Sequence, residues 1–295
     1  MVSVKKKEIS GNTYFYLEHS YREAGKVRKA EKYLGSKIPK NIEQIKKSFE
    51  SKVRVERFKP QLEAIKKSYV KENKSAPKTL LEKQKHIFSI KFTYDSQRIE
   101  GSTLTLRETS QLIEEGVTPS GKSLDDVKEA EAHDRLFLEI LESKKDLSRR
   151  EILGWHYKLF KQTKKDIAGK VRQHQVAISG SKFMPPSPVE VSPLLKDFFR
   201  WYNREKDKLN PVELAALSHL KFVTIHPFAD GNGRISRLIM NHILNKKKYP
   251  LLNIPYTKRK SYYNSLERAQ TKDQEHVFTN WLIKRYLKEH EKYIK

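Results

Sequence analysis

Cysteine is missing from all 295 residues, so disulfides, thiolate metal ligands and cysteine nucleophiles are excluded together. Missing too is any uninterrupted apolar run of the ~20 residues that span a bilayer. The amino-terminal stretch MVSVKKKEIS has no apolar segment behind its lysines, which is not the pattern of a secretory leader. These absences predict a cytoplasmic protein with no membrane partner. The HExxH zinc pair does not occur, and the GxxxxGK[ST] pattern, met at GVTPSGKS, residues 116–123, follows a helical stretch and not the strand that a phosphate loop requires. Acidic side chains are scarce, 36 against 61 lysines and arginines, and the net charge of +25 invites a nucleic-acid reading. The lysines are scattered through nearly every segment, however, and lysine and glutamate richness also suits a heat-adapted source. General basicity is therefore preferred over a dedicated nucleic-acid surface.

What is present, 37% hydrophobic and 33% charged residues, describes a globular chain with solvated faces. The length allows one domain plus an appendage. Residues 1–75 read as the appendage. TYFYLEHSYREAGKVRKAEKYLG alternates apolar and polar residues on both sides of Ala24-Gly25, a hairpin pattern with Arg22, Lys26, Arg28 and Lys29 near the turn. From Pro39 to about Lys91 the spacing turns helical through Ile42, Ile45, Phe49 and Val53, with a break at Ser75-Ala76-Pro77. Residues 76–295 then read as mostly helices with short connections. One carries Leu106, Leu112 and Ile113 and stops at Gly116; another carries Val127, Ala130, Leu136 and Ile140; a third starts at Ser148 with Glu151 three residues on. QVAISGSKFMPPSP departs from this pattern and predicts a short exposed β-hairpin around Ser179-Gly180-Ser181. The expected fold class is mainly α, a helical core with a hairpin flap and a small amino-terminal hairpin and helix.

The chemistry gathers in HPFADGNGRISR, residues 226–237. Before it, Asn210 can cap and Pro211 can open a helix that is apolar on most faces, which places His226 at its end. After it, Ile235, Leu238, Ile239 and Ile243 resume helical spacing. Glycines on both sides of Asn232 at a helix start let backbone N–H groups converge on an anion. Arg234 and Arg237, three apart, offer guanidinium forks for more than one phosphate. Asp230 suits a hard cation such as Mg²⁺, which binds through one or two carboxylates plus substrate phosphates, and His226 suits a general base.

Those twelve residues resemble the signature of the Fic family, HPFx[D/E]GNGRxxR, with every defining position filled. The similarity extends over residues 90–285 or so, through the segment AGKVRQHQVAISGSKFMPPSPVEV, which resembles the family's flap, and the helices on each side of the signature. The resemblance implies a protein adenylyltransferase, which transfers AMP from ATP to a Ser, Thr or Tyr hydroxyl, with Mg²⁺ or Mn²⁺ as cofactor. It implies His226 as base and Asp230 as metal ligand. Gly231, Asn232 and Gly233 would cradle the α and β phosphates, Arg234 would lie on the β/γ region, and Phe228 would anchor the loop. Ile178, Ser179 and Gly180 would align the target by main-chain pairing. SQRIEG, residues 96–101, resembles the family's inhibitory pattern [S/T]xxxE[G/N]. Glu100 would then occupy Arg237, with Ser96 and Gly101 completing the brake. Tyr262 and Tyr263 resemble a pair near the adenine, but Gln270 stands where relatives often have asparagine.

The implied partners are ATP and a protein target that the sequence does not identify, with auto-modification expected and a homodimer left open. Two alternatives are carried. The same site would serve a de-AMPylase or a transferase of another phosphate-bearing group. A nucleic-acid-binding regulator would instead act through basic residues 1–75 and use its core to sense nucleotide.

Overall fold

The computed structural model describes residues 2–23 and 26–294. Two compact units divide the chain, residues 1–63 and 64–295.

The first unit holds three strands, β1 (Val2–Ile9), β2 (Asn12–Glu23) and β3 (Lys26–Gly35), in one antiparallel sheet of order β1-β2-β3. The strand β1 was not expected, because its lysine run hides the alternation. Val2 and Val4 nevertheless pack on Leu17, together with Phe49 and Val53 from helix α1 (Ile42–Glu56). Ser10 and Gly11 both have positive φ, 52° and 77°, as a two-residue hairpin turn with the strands' right-handed twist requires. The turn expected at Ala24-Gly25, and the side chains of Arg22 and Lys26, lie outside the described residues.

Helix α2 (Lys59–Ser75) runs across the division between the units. Ala76 separates it from Pro77, which stands at the N-cap of α3 (Lys78–Ile99). The helices that follow are α4 (Leu106–Glu115), α5 (Leu124–Glu142), α6 (Arg149–Phe160), α7 (Pro188–Glu205), α8 (Pro211–Ile225), α9 (Asn232–Lys246), α10 (Arg259–Thr271) and α11 (Glu275–Glu289). The mainly helical expectation holds, and the caps explain several boundaries. Thr105 and Glu108 close a capping box on α4, Gly116 ends that helix with φ 69°, and Ser148 accepts from the Glu151 N–H at the start of α6. Leu106, expected on the apolar face of α4, is exposed instead.

Helices α8 and α9 form the centre of the second unit. Helix α8 packs on α9, α7 and α11, and α9 also meets α3, α5 and α6. Their apolar side chains are buried on nearly every face: Leu214, Ala215, Ala216 and Phe222 on one, Ile235, Leu238, Ile239 and Met240 on the other. Truncating such a residue, Phe222→Ala for example, removes about 3–5 kcal/mol. The loop joining the two helices is thus held between rigid supports.

The flap departs from expectation. Residues 173–187 form a turn, with the Ser181 N–H donating to the Ile178 carbonyl at 3.1 Å and Gly180 at φ 74°, but no strand ladder. Pro185 and Pro186 supply no N–H to a ladder, and side chains take part of its place. Gln175 Nε2 donates to the carbonyls of Val176 and Pro185 at 3.3 and 3.0 Å. Among the described residues no helix is long and apolar enough to cross a membrane.

Candidate functional site

Helix α8 ends by turning His226 into the left-handed region, φ 51° and ψ 57°, which a non-glycine residue enters at a cost of roughly 1–2 kcal/mol. Its Nδ1 lies 3.2 Å from the Val223 carbonyl oxygen. A carbonyl only accepts, so Nδ1 carries the hydrogen and Nε2 keeps its lone pair. Burial holds this imidazole below its ordinary value, with the Val223 bond pulling the other way, and the ring is neutral near pH 7.

The loop is bolted to the core on its inner side. Phe228 is buried and stacks on His156 of α6 at 3.8 Å. The Gly169 N–H donates to His156 Nδ1 at 2.9 Å, so the other ring nitrogen donates to the Asp230 carbonyl at 3.1 Å. The side chain of Asn232 closes on Phe228 in both directions, accepting from its N–H at 2.9 Å and donating to its carbonyl at 2.8 Å. That side chain therefore staples the loop instead of facing a phosphate. Gly231 is required twice over: its φ is 78°, and a Cβ would stand 2.5 Å from the Phe160 ring. What the loop offers a ligand is the free N–H groups of the first turn of α9.

Arg237 and the end of α3 meet beside Gly233. Arg237 is 1% exposed. Its Nε donates to Ser96 Oγ at 2.9 Å, and Nη2 donates to the Ser96 carbonyl at 2.9 Å and to Glu100 Oε1 at 2.7 Å. Its Nη1 is buried with no hydrogen-bond partner. Glu100 is presented by a helix ending in which the Gly101 N–H donates to the Arg98 carbonyl and the Ser102 N–H to that of Gln97. Gly101 has φ 105°. A Cβ on Gly233 would collide with the Glu100 carboxylate, so the missing side chain there is what admits it.

Arg234 and Asp230 are tied to residues that sequence spacing did not single out. Arg234 is 3% exposed, and its Nη1 donates to Gln97 Oε1 at 3.0 Å and to the Glu129 carboxylate on α5. Its Nη2 reaches Asp230 Oδ1 at 3.2 Å. A guanidinium this deep needs a carboxylate partner, and here it is directed at α5 and α3. Asp230 also accepts from the Gly231 N–H, and its Oδ2 faces Lys164 Nζ at 2.6 Å. Burial would raise the Asp230 carboxyl, but Arg234 and then Lys164 outweigh it and hold the value down at about 2. Among the described residues no group of three or more metal-ligating side chains occurs. One ionised carboxylate, 38% exposed, is nevertheless the donor set a Mg²⁺-type ion needs when phosphates and water supply the rest.

Arg172 joins the loop to the flap. Only 4% exposed, it donates from Nε to the His226 carbonyl at 2.7 Å, from Nη1 to that of His174 at 3.0 Å and from Nη2 to that of Pro186 at 2.6 Å. Its own N–H donates to the Pro227 carbonyl at 2.9 Å. Both legs of the flap are thereby anchored to the backbone of the histidine. Ser179 and Gly180 are exposed at the flap tip and Ile178 is half-buried. Beyond them the Lys182 N–H donates to Glu267 of α10 at 3.1 Å. A cavity of about 800 Å³ runs beside the flap, lined among others by Arg149, Lys170, Arg172, His174, Val189 and Ala229.

The two tyrosines separate. Tyr262 is 1% exposed and its hydroxyl meets His219 Nε2 at 2.9 Å, so it is a core residue. Tyr263 is 42% exposed and donates to the Ile99 carbonyl at 3.1 Å, one residue before Glu100. Gln270 donates to Thr224 Oγ1 at 3.2 Å. Sequence reasoning did not single out His156, Lys164, Arg172, Gln97 and Glu129, which are far from the motif in sequence, although Gln97 lies inside SQRIEG and Arg172 inside the flap segment.

Residues 146–244 match the family model described as Fic/DOC family. Protein adenylyltransferase Fic of Drosophila sechellia and of Drosophila melanogaster is 39% identical over 184 residues, 61% of this chain and 37% of each relative. The chain thus spans little more than a third of the length of these curated relatives. Among solved structures, a Fic domain containing signalling protein from Bacteroides thetaiotaomicron superposes with a TM-score of 0.71 at 29% identity, covering 79% of this chain and 96% of that one. Fic-1 from C. elegans gives 0.70 at 29% identity, covering 87% and 78%. Residues 146–244 are therefore a Fic domain, and the helical core that carries the signature loop has the fold of solved Fic proteins.

Proposed function

We propose that this protein is an adenylyltransferase that moves AMP from ATP to a hydroxyl on a protein, and that Glu100 holds it idle. The observation that carries the reading is a neutral His226 with Nε2 free, four residues before an ionised Asp230 and a glycine-flanked helix start. The curated relatives' name, protein adenylyltransferase, supports the same reaction.

In this reaction the target hydroxyl gives its proton to His226 Nε2 while its oxygen attacks the α-phosphorus of ATP. The bond from the α-phosphorus to the bridging oxygen breaks and pyrophosphate leaves. N–H groups at the start of α9 receive the phosphate oxygens and stabilise the charge that develops on them. Asp230 is the residue that would hold Mg²⁺, which when bound neutralises phosphate charge. Arg172 keeps the flap legs and the His226 backbone in register, and the flap's unladdered main chain receives the target segment.

Glu100 blocks this arrangement by electrostatics and by volume. Its carboxylate takes Arg237 Nη2 and lies against Gly233, where terminal phosphate charge would otherwise pair with Arg237. ATP can still bind, in a pose that does not present the α-phosphorus to the incoming hydroxyl. Auto-modification is the expected readout until a target is known.

The test uses ATP labelled on the α or the γ phosphorus, with Mg²⁺ and the Glu100→Gly variant. Label from the α position on the protein, none from the γ position, and no label of either kind with His226→Ala is the expected result. Transfer of the γ label instead would replace adenylyl transfer with phosphoryl transfer.

A further inference from the structure

Lys164 contacts the Asp230 carboxylate and is used by neither the signature nor the reaction. It follows α6, its N–H donating to the Phe160 carbonyl at 2.9 Å, and it reaches the loop from 66 residues away. Its ammonium lies 2.6 Å from Asp230 Oδ2, 3.1 Å from Glu129 Oε1 and 5.0 Å from the centre of the Phe160 ring.

The two oxygens of Asp230 are treated differently. Oδ1 is taken by the Gly231 N–H and by Arg234, which is 3% exposed and bound to Glu129 as well. Oδ2 is taken by Lys164, whose side chain is 36% exposed. A hard divalent ion binding this carboxylate needs an oxygen lone pair, and Oδ2 is the one whose cationic partner is partly exposed and not buried. A lysine ammonium and a divalent cation cannot share that oxygen, because like charges a few ångströms apart repel. Of the cations on Asp230, Lys164 is also the one that can leave. It ends a flexible stem, and a pair this exposed is weak, about 0–1 kcal/mol.

We infer that Lys164 is a built-in counter-ion for Asp230, standing where a divalent cation binds and yielding to it when the metal arrives with a nucleotide. This rests on the proposed nucleotide reading of the site. In the ligand-free protein the ammonium neutralises Asp230 and holds the loop against α6. When metal and phosphates enter, Lys164 swings towards Glu129 and solvent. Metal affinity is thereby set by competition with a residue of the chain, and Oδ2 of unloaded Asp230 keeps a cationic partner beside the phosphate site.

The experiment measures Mn²⁺ binding in the presence of ADP by the water-proton relaxation of the bound ion, on the full chain. ADP is chosen because it lacks the γ-phosphate that the brake displaces. Lys164→Met should bind Mn²⁺ about fivefold more tightly than wild type, the size expected for removing one half-exposed competitor. Lys164→Arg, which keeps the charge, should stay near wild type. The ligand-free Tm of Lys164→Met should fall and be restored by Mn²⁺ with ADP. Lys164→Gln repeats the measurement if the methionine variant folds poorly. Unchanged or weaker Mn²⁺ binding in both neutral variants would overturn the inference, the weaker result marking Lys164 as a phosphate ligand. Asp230→Asn is the control for the underlying reading. If it leaves Mn²⁺ binding with ADP at the wild-type level, the metal site itself is elsewhere and the inference goes with it.

Discussion

The loop that opens the signature, residues 226–231, and the flap, residues 173–187, are both irregular, and they satisfy their backbones in opposite ways. In the loop the carbonyls of His226, Pro227, Phe228 and Asp230 and the N–H of Phe228 are taken by Arg172, Asn232 and His156. In the flap a few side chains bridge the legs, and the backbone between them forms no ladder. Those groups of the first are bound to buried partners, which suits a site where phosphate charge must be met without reorganisation. The second keeps unladdered backbone, which suits pairing with segments of differing sequence. Arg172 holds both, and the comparison can be broken at either end or at that joint.

Removing the proposed base should have the largest effect. In the Glu100→Gly background, His226→Ala should lower AMP transfer by about 10²–10⁴ and leave ADP affinity within about twofold, measured by rate and by calorimetry. A fall in affinity equal to the fall in rate would instead mean that the loop had lost its shape.

Cutting the joint should affect the flap more than the loop. Arg172→Met removes three donors from a buried charged group, and hydrogen bonds of that kind contribute about 1.5–3 kcal/mol each. Transfer to a protein target should drop at least about tenfold through a higher KM for the target, because the flap legs lose their anchor, while ADP affinity changes little. Equal losses in both would assign Arg172 to folding alone.

Loosening the loop is the next smaller step. Asn232→Ala leaves the Phe228 N–H and carbonyl unpaired in a buried place, at about 1–3 kcal/mol, so the Tm should fall by roughly 3–10 °C by calorimetry. Ser181→Ala, which removes one bond inside the flap (its Oγ accepts from the Phe183 N–H at 3.1 Å), should shift Tm by less than about 2 °C.

Acid gives the smallest contrast. His242, on the helix that the loop opens, is held at about 4 instead of 6.5, chiefly by burial and then by Lys246, against a rise from Asp146 and others. The folded state refuses a proton that the unfolded state accepts, so the stability His242 lends is present above pH 6.5 and is lost as pH falls towards 4. His242→Gln should flatten the decline of Tm between pH 6.5 and 4.5, and an unchanged slope would exclude His242 as its source.

Legibility in the sequence followed the same divide. The candidate residues that lie within twelve positions could be singled out together, because one short loop and one helix start bring them close by local geometry. The helices were readable where a cap or an apolar period marked them, as at Ser148, Gly116 and Asn210. The partners Lys164, Gln97, Glu129 and Arg172 were not, since nothing local to a lone polar residue announces a contact 54 to 137 residues away. The final turns of α3 bury Thr93, Asp95, Ser96 and Gln97, a polar face on which hydrophobic periodicity has no purchase. In β1 the lysines at 5, 6 and 7 masked an alternation that only Val2 and Val4 report. The flap pattern did predict a turn, but its strands need a pairing that two prolines and side-chain bridges withhold. Tyr262 belongs to the core because its neighbours are His219, Phe278 and Trp281, which no spacing near residue 262 reveals.

The central claim is that a complete transferase site is kept idle by one carboxylate 137 residues from the arginine it holds. Intact-mass measurement after incubation with ATP and Mg²⁺ tests it most directly. The account predicts that Glu100→Gly gains the mass of one or more AMP groups while the wild-type chain stays almost unmodified. Equal modification of the two chains, or none on Glu100→Gly alongside a folded protein that binds ADP, would contradict it.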